Sequence, residues 1–242
     1  LPVGGALTDQ PVLLPAGVVS TRKAASDISP ERHPNWISLR TVALFNSFSW
    51  DAFLRAMVQT DVSKFIVERL PTPSVMPETF LSHSALRLSC NHAGYAPLWH
   101  EQVGDAWREP APPFTWPVLE GDDARWAVRA AIDAVVADAY GLSRSQYAHV
   151  LSTFSHKSYP KAPALCLAAF DELKEIGLDA FTRRHDPYHD LPLNEDLPKP
   201  VIDIPVAVAA AGQLGLVLEE HLGSVPPKRG RGRPRGSMAR EN

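Results

Sequence analysis

The sequence is poor in cysteine, has far less glycine than proline, and contains no long apolar run. Its two cysteines, Cys90 and Cys166, are too few for a disulfide framework and too far apart for a zinc ribbon. A disulfide-stapled secreted fold is therefore excluded, and a reducing cytoplasm is the expected location. The most apolar late stretch, 204–218, is too short for a bilayer and carries Pro205 and Gln213. The opening, LPVGGALTDQPVLLPAG, lacks the positive segment and apolar core of an export signal. No membrane role is expected. The chain opens on Leu1 in mid-phrase, so a piece of a longer protein is expected.

With 14 Gly against 23 Pro, the connections are expected to be stiff and extended rather than flexible. What is present is an ordinary soluble composition, 45% hydrophobic and 21% charged over 242 residues, enough for one large domain or two small ones. The net charge of −3 hides an asymmetry. Lys228, Arg229, Arg231, Arg233, Arg235 and Arg240 lie within the last 15 positions, where Glu241 is the only acid. The remainder holds 18 basic and 26 acidic residues, a net charge of −8. An acidic body thus carries a cationic tail.

Along the chain, 11–14 and 17–20 suit brief strands or extended segments. Helical spacing begins near Ser38, with Val42, Phe45, Ser49, Ala52, Phe53 and Ala56 on one broad face, and predicts a helix over 38–58. The β-branched run at 64–70, stopped by Pro71 and Pro73, reads as a short strand. A helix is expected over 77–89. The stretch 90–119, with Trp99, Trp107, Phe114 and Trp116 among prolines, reads as a wrap rather than a core element.

Further on, Asp122 is the expected N-cap of a helix that carries Trp126, Ile132, Val135 and Val136 and stops at Gly141. Ser143 and Gln146 read as a capping box opening a helix over 144–153. A third helix is expected over 162–181. Its Leu165, Leu173 and Ile176 should bury the Trp126, Ile132, Val135 face. Beyond Arg183 the chain should be Pro-rich and irregular, apart from a helix at 207–221, and disordered after Gly223.

The sharpest local signal is the stretch 228–236, KRGRGRPRG, which resembles an AT-hook. Gly232 allows the backbone to lie flat on the floor of a narrow A·T minor groove and Pro234 keeps it extended. Arg231 and Arg233 lie along the negative potential there, and Lys228, Arg229 and Arg235 add phosphate contacts. The plainer reading is a solubilising or targeting tail.

Three other constellations carry less. Ala111-Pro112-Pro113-Phe114 is one residue from the Pro-Pro-aromatic motif of amino-directed DNA methyltransferases, but Ala111 offers no acceptor to an exocyclic amine. The 185–190 run, HDPYHD, brings imidazoles and carboxylates together and reads as a solvated loop rather than a metal site, and Cys90-Asn91-His92 lacks a second ligand pair. Glu172 and Lys174 match half of a nuclease motif but fall on helical spacing, so they read as an exposed helix surface.

Ala43 through Phe48, then Asp51, Arg55, Thr60 and the 64–73 stretch, resemble in order and spacing the C-terminal region of large bacterial adenine-N6 DNA methyltransferases. These occur in type II restriction-modification systems and in BREX- or DISARM-type phage defence. The likeness continues through 113–116, 125–133, 139–143 and 150–154, so that it covers roughly 1–182. Thr60 through Ser63 depart from the family's pattern, and no catalytic motif is included.

The resemblance implies an α+β, mainly helical fold. Its parts would be a target-recognition segment with a short strand over 1–120 and a helical unit over 121–182; composition adds a Pro-rich extension over 183–223 and a disordered basic AT-hook-like tail over 224–242. It implies double-stranded DNA as partner, Arg55 and Lys64 as further DNA contacts, and an upstream methyltransferase domain. S-adenosylmethionine is then a cofactor of the parent enzyme, with none bound by this chain. For Asn46, Arg55 and Lys64 the competing reading is that they cap, pair or solvate a packed helix-strand unit. A non-enzymatic DNA-tethering or assembly module of a phage-defence complex is the alternative function.

Overall fold

The structure, a computed structural model, describes residues 32–58, 64–106, 116 and 118–198. The strands expected at 11–14 and 17–20, the helix expected at 207–221 and the tail lie outside the described residues.

The expected helix over 38–58 is two helices, α1 (Asn35–Phe45) and α2 (Phe48–Met57). Ser47 makes the corner. Its backbone is extended (φ −80°, ψ 147°), its Oγ accepts from Trp50 N, and the hydroxyl donates to Leu44 O at 2.7 Å. One serine therefore closes the end of α1 and caps the start of α2.

The α+β class is overturned, because no strand occurs among the described residues. The 64–70 run opens as a single helical turn, α3 (Lys64–Val67), and Arg69 N and Leu70 N continue the turn to Ile66 O and Val67 O at 3.1 and 3.2 Å. Burial explains the outcome. Ile66 and Val67 are half-buried, Glu68 and Arg69 are exposed and Leu70 is buried, which is a three-to-four spacing and not alternation. β-branched residues favour a strand where a neighbouring strand offers a pleated surface. The neighbours here are helices.

Helix α4 (Glu78–Ser89) runs through the middle of the fold and is buried at every position from Phe80 to Leu86. Its polar members need partners, and Ser82 finds one by donating to Trp36 O at 3.1 Å. The stretch read as a wrap folds into a 3₁₀ turn (Ala93–Tyr95) and α5 (Ala96–Val103). Trp99 is fully buried and donates through Nε1 to Cys90 O at 2.8 Å, so this segment does enter the core.

The N-cap position of helix α6 (Gly121–Ala139) is Glu120 rather than Asp122, with no side-chain capping bond; Asp122 and Asp123 sit in the first turn, where the helix dipole favours them. The capping box of α7 (Arg144–Ser152) forms as expected, with Gln146 N donating to Ser143 Oγ and Ser143 N donating to Gln146 Oε1. The helix expected over 162–181 is broken at Gly177 into α8 (Ala162–Ile176) and α9 (Leu178–His185). Gly177 has φ +81°, a region open to glycine and costly for other residues.

The most extensive packing is α6 on α8 and α1 on α4. Ala130, Ala131, Ala134 and Ala137 keep α6 slim, while Phe170 and Leu173 of α8 are buried, as are Ile132 and Val135 of α6. One hydrophobic core runs from Leu39 to Phe181, joining helices on both sides of residue 120. Burying each large aromatic such as Trp50, Trp99 or Phe181 contributes about 1.5–3 kcal/mol. Among the described residues no helix is long and apolar enough to cross a membrane.

Candidate functional site

The residues singled out in the sequence are placed unevenly. The AT-hook-like residues 228–236, the 111–114 stretch and the 60–63 segment lie outside the described residues. Lys64 opens α3. Asn46 closes α1, donating through Nδ2 to Val42 O at 2.9 Å. Arg55 lies in the last turn of α2, pairs with Asp51 one turn earlier (Nη2 to Oδ2, 3.2 Å) and lays its guanidinium over the Phe154 ring at 4.2 Å.

Arg55 belongs to a layer of cations and aromatic rings where α2, α6 and the segment after α7 meet. Trp126 stacks on Tyr159 with centroids 4.9 Å apart, and Phe48 meets Phe154 at 4.9 Å and His156 at 5.3 Å. Arg129 lies over Trp126 at 4.8 Å. Beneath this layer Asp133 is fully buried and accepts a hydrogen bond from Phe48 N at 2.6 Å, giving α2 a second cap from another helix. Burial pushes the Asp133 carboxyl up to about 7, against the pull of Arg129 and the Phe48 N–H and with the help of Asp51. Burial also raises Asp51, with Arg55 opposing. The Cys166 thiol is raised by burial and by Asp133, which keeps it protonated and a poor nucleophile.

A second polar system joins α4 to α9 and the turn after it. His83 Nδ1 meets Asp186 Oδ2 at 2.9 Å with both side chains buried, and Asp186 Oδ1 accepts from Tyr188 N at 2.9 Å. Arg87 Nη1 donates to His185 O at 2.9 Å. On α8, Glu172 holds Arg184 at 2.6 Å and His185 Nε2 at 3.2 Å. Burial raises the Glu172 carboxyl, but the bonds from Arg184 and His185 outweigh it and hold the group below its ordinary range. A cleft of about 330 Å³ opens beside this system.

The second system is the one that sequence reasoning missed. The 185–190 run is solvated only in part: Pro187 and Asp190 are exposed, but Asp186 is 2% exposed. Its partner His83 is 103 residues away, and the only local signal was a polar Ser-His-Ser run, 82–84, inside an apolar helix. The Glu172 and Lys174 side chains do pair on the helix surface, with Lys174 meeting Asp138 while Leu173 between them is buried. Among the described residues no group of three or more His, Cys, Asp or Glu converges as a metal site.

Comparison of the chain with family models, curated proteins and solved structures gave no match.

Proposed function

We propose that this chain is the DNA-binding, target-recognition part of a site-specific adenine-N6 DNA methyltransferase or restriction-modification protein, with catalysis and S-adenosylmethionine belonging to an upstream domain. The observation that carries the reading is a separation of charge. In the helical body Arg40, Arg55, Arg144, Lys174, Arg183 and Arg184 are each tied to an acid of the body. The six cations among the last 15 positions have one acid beside them in sequence. Phosphate neutralisation then falls chiefly to 228–236, while the body holds the tail near its target. Arg55, engaged with Asp51 and Phe154, and Lys64 are secondary contacts in this reading. The order and spacing of 43–73 relative to adenine-N6 methyltransferases support the choice of parent enzyme.

The test is binding of the full chain to A·T-rich and G·C-rich duplexes of equal length, as a function of salt. Changing Arg231 and Arg233 to Ala should weaken A·T-rich binding more than G·C-rich binding and lower the salt slope by about two contacts, at roughly 0.9 per contact. Equal loss on both duplexes would reduce the tail to a generic polycation. No loss on either would remove it from the interface.

A further inference from the structure

The cleft between α4, α6 and α9 has two chemically different sides. Ala124, Ala127, Val128 and Ala131 of α6 line it with small apolar surface, and Arg87 of α4 and Arg184 and His185 of α9 bring cations and donors to it. Its volume is about 330 Å³.

Arg87 is the informative residue. It is half-buried, its Nη1 donates to the His185 carbonyl, and no carboxylate lies within ion-pair distance of it among the described residues. Asp186, whose field it feels, is already held by His83 and by Tyr188 N. Burial pulls the guanidinium below its ordinary range, and Asp186 and Tyr188 oppose that only in part. Desolvated cations in proteins are normally paired, so a half-buried arginine with no carboxylate in direct contact among the described residues leaves a place for an anion.

Ser84 supplies a second, independent observation. It lies one turn before Arg87 on α4, lines the same cleft and is 1% exposed, and its hydroxyl has no hydrogen-bond partner among the described residues. A buried hydroxyl left without a partner is costly unless a ligand completes it. Glu172 of α8 fixes Arg184 and His185 in place and offsets part of their charge, so Arg87 is the principal anchor.

We propose that this cleft binds a small phosphomonoester, its phosphate held by Arg87 with Ser84, Arg184 and His185, and its compact apolar body against the α6 alanines. Donors arriving from two helices outnumber the two oxygens of a carboxylate and suit the three terminal oxygens of a phosphate. This site stands apart from the DNA reading, since it lies in the body and uses none of residues 228–236.

The test is calorimetric titration of the full chain with phenyl phosphate, inorganic phosphate and benzoate. Phenyl phosphate should bind at roughly millimolar or tighter Kd and should be the best of the three. Arg87→Gln should weaken it about tenfold or more, the loss expected for a charge-assisted bond. Ala127→Leu, at an exposed helical position, should abolish binding by filling the cleft while circular dichroism stays unchanged. If Arg87→Gln fails to fold, the Ala127→Leu result decides alone. No binding of phenyl phosphate, or binding that survives Ala127→Leu, would overturn the site. Benzoate binding as well as phenyl phosphate would overturn the phosphate assignment, and inorganic phosphate doing so would overturn the role of the apolar wall.

Discussion

Asp133 and Asp186 are both buried, 0% and 2% exposed, yet the protein neutralises them in different ways. Asp186 has an imidazole on one oxygen, a backbone N–H on the other, and the field of Arg87 beside it. Asp133 has one N–H on Oδ1, no hydrogen-bond partner on Oδ2 among the described residues, and a neighbouring Arg129 turned over aromatic rings. The first carboxylate is compensated by partners and the second by holding its proton. The contrast shows two solutions to one desolvation problem, and they respond differently to mutation.

The sharpest way to break the comparison is Asp186→Ala. Removing one member of the buried His83–Asp186 pair leaves His83 without its acid and should cost about 3–5 kcal/mol in chemical denaturation. Next is the pH dependence set by Asp133. Its folded-state value, about 7, lies above the ordinary 3.8, so between these values the folded state binds more protons than the unfolded one. The resulting stability is fully present below about pH 4 and is lost as pH rises toward 7, on the order of a few kcal/mol in all. Asp133→Asn keeps an acceptor for Phe48 N and should flatten unfolding curves measured across that range; an unchanged slope would show that Asp133 is ionised in the fold. The smallest effect sharpens the role of the shared cap. Ser47→Ala should cost about 1 kcal/mol in thermal unfolding, because Asp133 still accepts from Phe48 N and only the Trp50 N–H loses its acceptor.

Local chemistry made part of this legible in advance. The capping box of α7 needs only Ser143 and Gln146, three residues apart, and the long α6 carries its own apolar stripe, so both were readable from short windows. The break at Ser47 was less so, since the apolar spacing continues on both sides and half of the α2 cap comes from Asp133. The strand expected over 64–70 failed because β-propensity describes a surface that other strands must supply. The His83–Asp186 pair was illegible for the same reason, each residue's meaning depending on a partner about a hundred positions away. For the 228–236 tail the sequence remains the whole basis of the reading.

The corner between α1 and α2 also has a history in time. Phe48 must wait for Asp133, 85 residues later, before its amide is capped. At a synthesis rate of roughly 5–20 residues per second, this is about 4–17 s during which the growing chain has α2 held at its start by Ser47 alone. The corner is therefore completed only when α6 has been made and has docked. A stalled or truncated product ending before residue 133 would carry α2 with its first amide still seeking a partner.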